Sequence, residues 1–256
     1  MAPHRIEWLA ARANDLAVSF GFLSRLPLRY RDCPSAAGIA RAAWAFPIAG
    51  ALVGALGALV YALAYRAGLP AWPAAGLALA ATLLVTGCLH EDGLADTADG
   101  FGGGKSREQK LAIMRDSRIG TYGVCALTLS ILLRAGALAS LVDPALVAWA
   151  LIAAHAAARA TMPVLMLTLP PARRDGLAFA AGRPPPASAA AGALLALAIL
   201  VFCLGAGAAA LAVVILGALA GAAGWLAAAQ IEGQTGDVLG ALEQVSEVAI
   251  LLVALG

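Results

Sequence analysis

Phe46-Pro-Ile-Ala-Gly-Ala-Leu-Val-Gly-Ala-Leu-Gly-Ala-Leu-Val-Tyr-Ala-Leu-Ala-Tyr65 is a run of twenty residues without a charge. The hydrocarbon core of a bilayer is about 30 Å thick, and a helix needs about 20 mostly apolar residues to cross it. The chain repeats such runs at Trp72–Leu89, Thr121–Leu141, Leu146–Leu169, Ser188–Leu204 and Ala208–Ala229. Val248–Gly256 starts a seventh, complete only if its helix begins near Leu239. The expected fold is therefore all-α, a polytopic integral membrane bundle of about seven transmembrane helices.

Composition agrees. Of the 256 residues 62% are hydrophobic and only 12% charged, with a mean hydropathy of +0.86. A soluble domain carries about a quarter charged residues. The net charge of +2 says little, because the charges are so unevenly placed. Cys33, Cys88, Cys125 and Cys203 form no CxxC pair and fit a reduced compartment better than disulfides or a zinc site. The N-terminus lacks the shape of a signal peptide. Instead Ile6–Phe22 mixes Ile6, Leu9, Leu16 and Phe20 with Arg5, Arg12 and Asp15, the pattern of an amphipathic helix lying on the membrane surface.

Proline-containing loops at Leu69–Pro73, Asp143–Pro144 and Arg183–Pro186 separate the runs. No internal repeat and no separate soluble domain is visible, so residues 1–256 read as one membrane-embedded catalytic domain. Basic residues orient it. With the N-terminus inside, segments 1–45, 90–120, 170–187 and 230–247 carry fourteen of the seventeen Lys and Arg, and the opposite loops carry only Arg66. The first of these is then a cytoplasmic amphipathic segment and the second a cytoplasmic catalytic segment.

The most informative polar stretch is Gly87-Cys-Leu-His-Glu-Asp-Gly-Leu-Ala-Asp-Thr-Ala-Asp-Gly100. If helical, it sets Asp92, Asp96 and Asp99 at i, i+4 and i+7, within an arc of about 60° on one face. Three carboxylates that close repel one another unless a cation lies between them. A hard divalent ion such as Mg²⁺ answers that best, and such an ion binds phosphate oxygens in phosphoryl transfer. An acidic loop facing water is the plainer alternative. Against it stand the helical spacing and the small residues Gly93, Ala95 and Ala98, which would let a ligand or a neighbouring helix approach.

Gly100, Gly102, Gly103 and Gly104 follow as a Gly-rich turn, then Lys105 and Arg107. This is not a Walker A loop, since its spacing fails and no strand precedes it. In Met114-Arg-Asp-Ser-Arg-Ile-Gly120, Arg115 and Arg118 suit bidentate phosphate contact, and Asp116 could ligate a metal or orient an arginine. Asp237, Glu243 and Glu247 make a third inside segment acidic, and carboxylates at the mouth of a membrane helix point to function. Arg159, in mid-span, needs an anionic partner, either a substrate or one of these carboxylates. Arg134 reads as a snorkelling side chain, His155 as packing. His90 is a candidate base or phosphate contact.

Taken together, these stretches resemble the cobalamin synthase family, the adenosylcobinamide-GDP ribazoletransferases. The resemblance rests on Ser24-Arg-Leu-Pro27, Phe46-Pro-Ile-Ala-Gly50, His90–Gly100, Met114–Gly120 and Gly233-Gln-Thr-Gly-Asp-Val-Leu-Gly-Ala241. Glu91 departs from the pattern, where an apolar residue is expected. The resemblance implies the last assembly step of cobalamin. α-Ribazole or its 5′-phosphate attacks the β-phosphorus of adenosylcobinamide-GDP, giving adenosylcobalamin or its 5′-phosphate, and GMP leaves with Mg²⁺ required. On that reading Asp92, Asp96 and Asp99 hold the metal, and Asp92 and Asp116 take part in catalysis. His90 or Asp237 deprotonates or orients the attacking group. Lys105, Arg115, Arg118, Arg159, Gln234, Thr235 and Glu243 bind substrate. The implied partners are these two small molecules and membrane lipid, with no nucleic acid, in the bacterial cytoplasmic membrane. The oligomeric state is open. The alternatives are a CDP-alcohol phosphotransferase, whose second aspartate cluster the Gly-Phe-Gly-Gly-Gly after Asp99 does not supply, and a cation-coupled transporter, which would place carboxylates near the midplane of repeated halves.

Overall fold

A computed structural model describes residues 3–26 and 36–256; Pro27 and Cys33 lie outside the described residues. Among these there is no strand, only helices α1 (Pro3–Leu23), α2 (Ala36–Ala42), α3 (Phe46–Arg66), α4 (Ala71–Thr86), α5 (Leu89–Gly103), α6 (Arg107–Ile113), α7 (Thr121–Leu141), α8 (Pro144–Thr168), α9 (Gly176–Ala181), α10 (Pro186–Ile231) and α11 (Gly236–Val253). By length and composition four helices can cross a membrane, or five if α4 and α5 together count as one. The expected seven spans differ from this at two places. α11 carries Asp237, Glu243 and Glu247. α10, 46 residues long, is broken at Gly205 (φ 81°, ψ 164°). Its halves fold back on each other, since Leu197 and Val213 line one cavity with Ala160 of α8.

α8 is the axis of the bundle and the most buried of the long helices. α3 lies against it backbone to backbone at Gly50 and Gly54, where an added Cβ would overlap the carbonyls of His155 and Leu151. This small-xxx-small spacing is how membrane helices reach van der Waals contact without a hydrophobic driving force between them. Large apolar side chains such as Leu84, Phe202, Val214 and Trp225 point outward instead. In lipid such a surface carries no penalty.

α1 departs from a simple surface helix. Trp8 and Leu9 are exposed, as expected, but Asp15 is fully buried. It accepts hydrogen bonds from Arg41 Nε (3.0 Å) and Trp44 Nε1 (3.1 Å) and pairs with Arg12 (3.1 Å). A buried carboxylate needs such partners. They pin the second half of α1 onto α2 and the short 3-10 turn Ala43–Ala45 that follows it.

At the end of α4 the chain turns by 89° into α5. Gly87 (φ 66°, ψ 33°) and Cys88 (φ 57°, ψ 25°) are consecutive left-handed residues. Two such residues stop one helix and aim the next sideways. α5 therefore leaves the axis of α4 at nearly a right angle. The first turn of α11, Arg173, α9 and the end of α1 line one cavity with it.

Candidate functional site

α5 is helical through all three expected aspartates. Its buried side contains His90, Glu91, Gly93, Ala95 and Asp99, while Asp92 is exposed and Asp96 half-buried. Gly93 faces Asp237 and Gly240 of α11 at close backbone approach. That contact sets Asp92 and Asp96 beside Asp237, at the first turn of α11. Thr235 forms that helix's N-cap, its hydroxyl accepting from Val238 N (3.3 Å).

The three aspartates of α5 have different surroundings. Asp99 accepts from the amides of Gly120 (2.7 Å) and Gly123 (2.9 Å), one on each carboxylate oxygen, and so caps α7. Asp92 and Asp96 have no protein hydrogen-bond or ion-pair partner among the described residues. The Asp96 carboxyl is pushed up to about 7, first by burial and then by Asp92, Asp237 and Asp99, with Arg173 opposing. His155, Glu243 and Glu247 alone bring three ligand-type atoms within 4.8 Å of one another among the described residues. Those three already share Arg159.

Asp92 lies on the wall of two cavities. One, of about 220 Å³, is bounded by His90, Asp92, Arg173 and Asp237 at its polar end and by Phe22, Phe46, Met162, Met166 and Leu239 elsewhere. The other, of about 490 Å³, holds Asp92, Asp96, Asp116, Arg115 and Arg118. In it Arg118 pairs with Asp116 at 2.6 Å and Arg115 with Asp175 at 2.6 Å. Arg118 holds the exposed Asp116 carboxyl below the usual range, and Arg115 does the same for Asp175.

The remaining expected site residues are spread more widely. Lys105 is exposed and borders neither cavity. The glycines before it do not form a phosphate loop, because α5 continues through Gly103. Gly100 and Gly102 are instead seats for Met114 and Tyr122. Gln234 is buried and pairs through its backbone with Pro170 (2.9 Å) and Ala172 (2.8 Å). Its side-chain oxygen has no partner.

Arg159 and Glu243 lie deeper. Arg159 pairs with Glu243 (2.6 Å) and Glu247 (3.0 Å), and Glu247 also meets His155. Arg134 does not snorkel. It is 1% exposed and bridges Glu91 (3.1 Å) and Glu247 (3.2 Å). Glu91, the residue that departs from the family pattern, thus has an internal cation to neutralise. His90 joins the edge of this network, with Nδ1 at 3.6 Å from Glu243 and 3.5 Å from Arg159. Its Nε2 is buried and unpartnered.

Arg173 is a site residue that sequence reasoning passed over, counting it only toward orientation. It donates to Asp237 (3.2 Å) and lies 3.4 Å from Asp175. The Arg173-Arg-Asp175 triplet, just past the Pro170-Pro171 stop, was the available signal.

Residues 15–255 match the model of the cobalamin-5-phosphate synthase family. Among curated proteins, the chain is 56% identical over 241 residues to an adenosylcobinamide-GDP ribazoletransferase of Mesorhizobium japonicum, covering 94% of this chain and 92% of that one. It is 54% identical over 240 residues to a ribazoletransferase of the same name from Bradyrhizobium diazoefficiens, with coverage of 94% and 92%. One from Azorhizobium caulinodans is 46% identical over 247 residues, with coverage of 93% and 94%. No solved structure matches the chain.

Proposed function

This chain belongs to the cobalamin-5-phosphate synthase family, and we propose that it performs the family's transfer where Asp92 separates the two cavities. It is a membrane enzyme of the last step of cobalamin assembly, an adenosylcobinamide-GDP ribazoletransferase. Family membership favours this over a CDP-alcohol phosphotransferase or a cation-coupled transporter. α-Ribazole, free or as its 5′-phosphate, displaces GMP from adenosylcobinamide-GDP. The bond formed is from a ribose oxygen to the β-phosphorus, and the bond broken joins that phosphorus to GMP.

The observation that carries the reading is Asp92 on both cavity walls, with the carboxylates of Asp92 and Asp96 free of hydrogen-bond and ion-pair partners among the described residues. The donor set suits Mg²⁺, being hard carboxylate oxygens that repel one another and raise Asp96. Asp92 and Asp96 would hold it, with Asp237 beside them, while Asp99 serves α7 first. When bound, Mg²⁺ neutralises charge on the diphosphate oxygens. Arg115 and Arg118 are held only by surface ion pairs, which contribute about 0–1 kcal/mol. A diphosphate can therefore take their place and gain bidentate contacts. His90, whose buried Nε2 has no partner among the described residues, and Asp237 would accept or orient the proton of the attacking hydroxyl. Glu243 and Arg159 hold His90 from behind. The fourteen basic residues of the N-terminal, 90–120 and 170–187 segments support placing this face in the cytoplasm, at the bacterial inner membrane.

The test uses purified protein in liposomes supplied with adenosylcobinamide-GDP and α-ribazole. Asp92→Asn and Asp96→Asn should each abolish GMP release without loss of membrane insertion. Full activity in either variant would sink the site assignment.

A further inference from the structure

The two cavities that share Asp92 differ in chemistry. The larger has arginines, aspartates and an open, charged rim. The smaller is walled by Phe22 of α1, Phe46 of α3, Met162 and Met166 of α8, and Leu239 of α11, with His90, Asp92, Arg173 and Asp237 as its ionisable groups. Phe22 and Phe46 lie face to face, centroids 6.0 Å apart and 23° from parallel. Stacked rings and polarisable thioethers are surfaces for a flat apolar ring system. A polar heterocycle placed there would leave its own donors and acceptors unpaired, at a cost of about 1–3 kcal/mol each.

Among the described residues, the buried Nε2 of His90, a residue lining this cavity, has no partner. Arg173 and Asp237, joined at 3.2 Å, line the same cavity. A ligand with an apolar ring at one end and a hydroxylated sugar at the other would satisfy both ends. A cavity of about 220 Å³ admits a fused bicyclic base.

We propose that this smaller cavity is the subsite for the base of the acceptor nucleoside, and that Phe22 and Phe46 set its preference for an apolar base. The inference rests on the transferase reading and adds a division of labour to it. The diphosphate of the donor lies with Arg115 and Arg118, the acceptor base lies against the pair of phenylalanines, and the reacting atoms meet at Asp92. The N-terminal helix is then a wall of the active site. The burial of Asp15 against Arg41 and Trp44 explains why that wall stays in place.

The experiment measures KM for each substrate separately with the full chain in liposomes. Phe46→Ala and Phe22→Ala should raise KM for α-ribazole by about tenfold or more, the factor lost with one well-packed aromatic contact. They should leave KM for adenosylcobinamide-GDP within about twofold. Arg115→Ala should do the reverse, and Phe46→Leu should recover part of the loss. As a check independent of turnover, Leu177→Cys, at the exposed mouth of the cavity, is introduced into a chain whose other cysteines are serines. α-Ribazole should protect this thiol from maleimide, and GDP should not. Equal rises in both KM values, or protection by GDP but not by α-ribazole, overturn the subsite. Absence of GMP release from the unaltered chain would instead fault the transferase reading.

Discussion

Gly93 of α5 and Gly240 of α11 meet backbone to backbone. A Cβ on Gly93 would lie 3.2 Å from the Cα of Gly240 and 2.8 Å from the carbonyl oxygen of Asp237. The same contact sets the separation of the carboxylates on either side. Gly93→Ala must push α11 away or twist α5, and overpacking of this kind costs about 1–3 kcal/mol. The expected outcome is a lower thermal midpoint in detergent and at least about a tenfold fall in kcat. Unchanged kinetics would show that the contact does not set the site.

Glu247 holds Arg134 (3.2 Å), Arg159 (3.0 Å) and His155 in the buried interior of the bundle. Removing one partner of a buried pair leaves uncompensated charge, a loss of about 3–5 kcal/mol. Glu247→Ala should therefore aggregate or inactivate at temperatures where the unaltered protein survives. Thermal inactivation in liposomes reads this. A variant as stable as its parent would mean that water reaches the arginines.

Asp99 makes two amide contacts that cap α7. Loss of a capping side chain costs about 0.5–2 kcal/mol. Asp99→Ala should lower the thermal midpoint while Mg²⁺ affinity, measured by calorimetry, stays within a few-fold. Loss of Mg²⁺ binding with no change in stability would make Asp99 a ligand and not a cap.

The Asp96 carboxyl lies at about 7, above its ordinary 3.8. Between those values the folded chain keeps a proton that the unfolded chain has released. Its stabilising contribution is thus fully present below the unfolded value and is lost as pH rises through the folded one. In Mg²⁺-free buffer the midpoint of the parent should fall from about pH 5 to about pH 8 more steeply than that of Asp96→Asn. Identical slopes would remove Asp96 as the group responsible.

Much of this molecule was legible in its sequence because membrane helices announce themselves by length and apolarity. The i, i+4, i+7 spacing of Asp92, Asp96 and Asp99 correctly implied a helix, and Gly93 correctly implied a close neighbour. The rest depended on direction, which local patterns do not encode. Nothing in a cysteine at position 88 signals a left-handed corner. The partners of Asp99 lie 21 and 24 residues away. The bridging of Glu91 and Glu247 by Arg134 depends on how three helices are rotated. Gly100–Gly104 suggested a loop because glycine weakens a helix. Packing against Met114 and Tyr122 outweighs that weakness.

The corner at Gly87 and Cys88 separates two design problems. Asp92 and Asp96 sit on a helix turned by 89° from the one before it, and no side chain of α10 lines either cavity that holds Asp92. The outward-facing side chains of α10 can drift among Ala, Leu and Val as the host's lipids change thickness or fluidity. Adaptation to a new membrane can proceed there while the reacting groups stay in register.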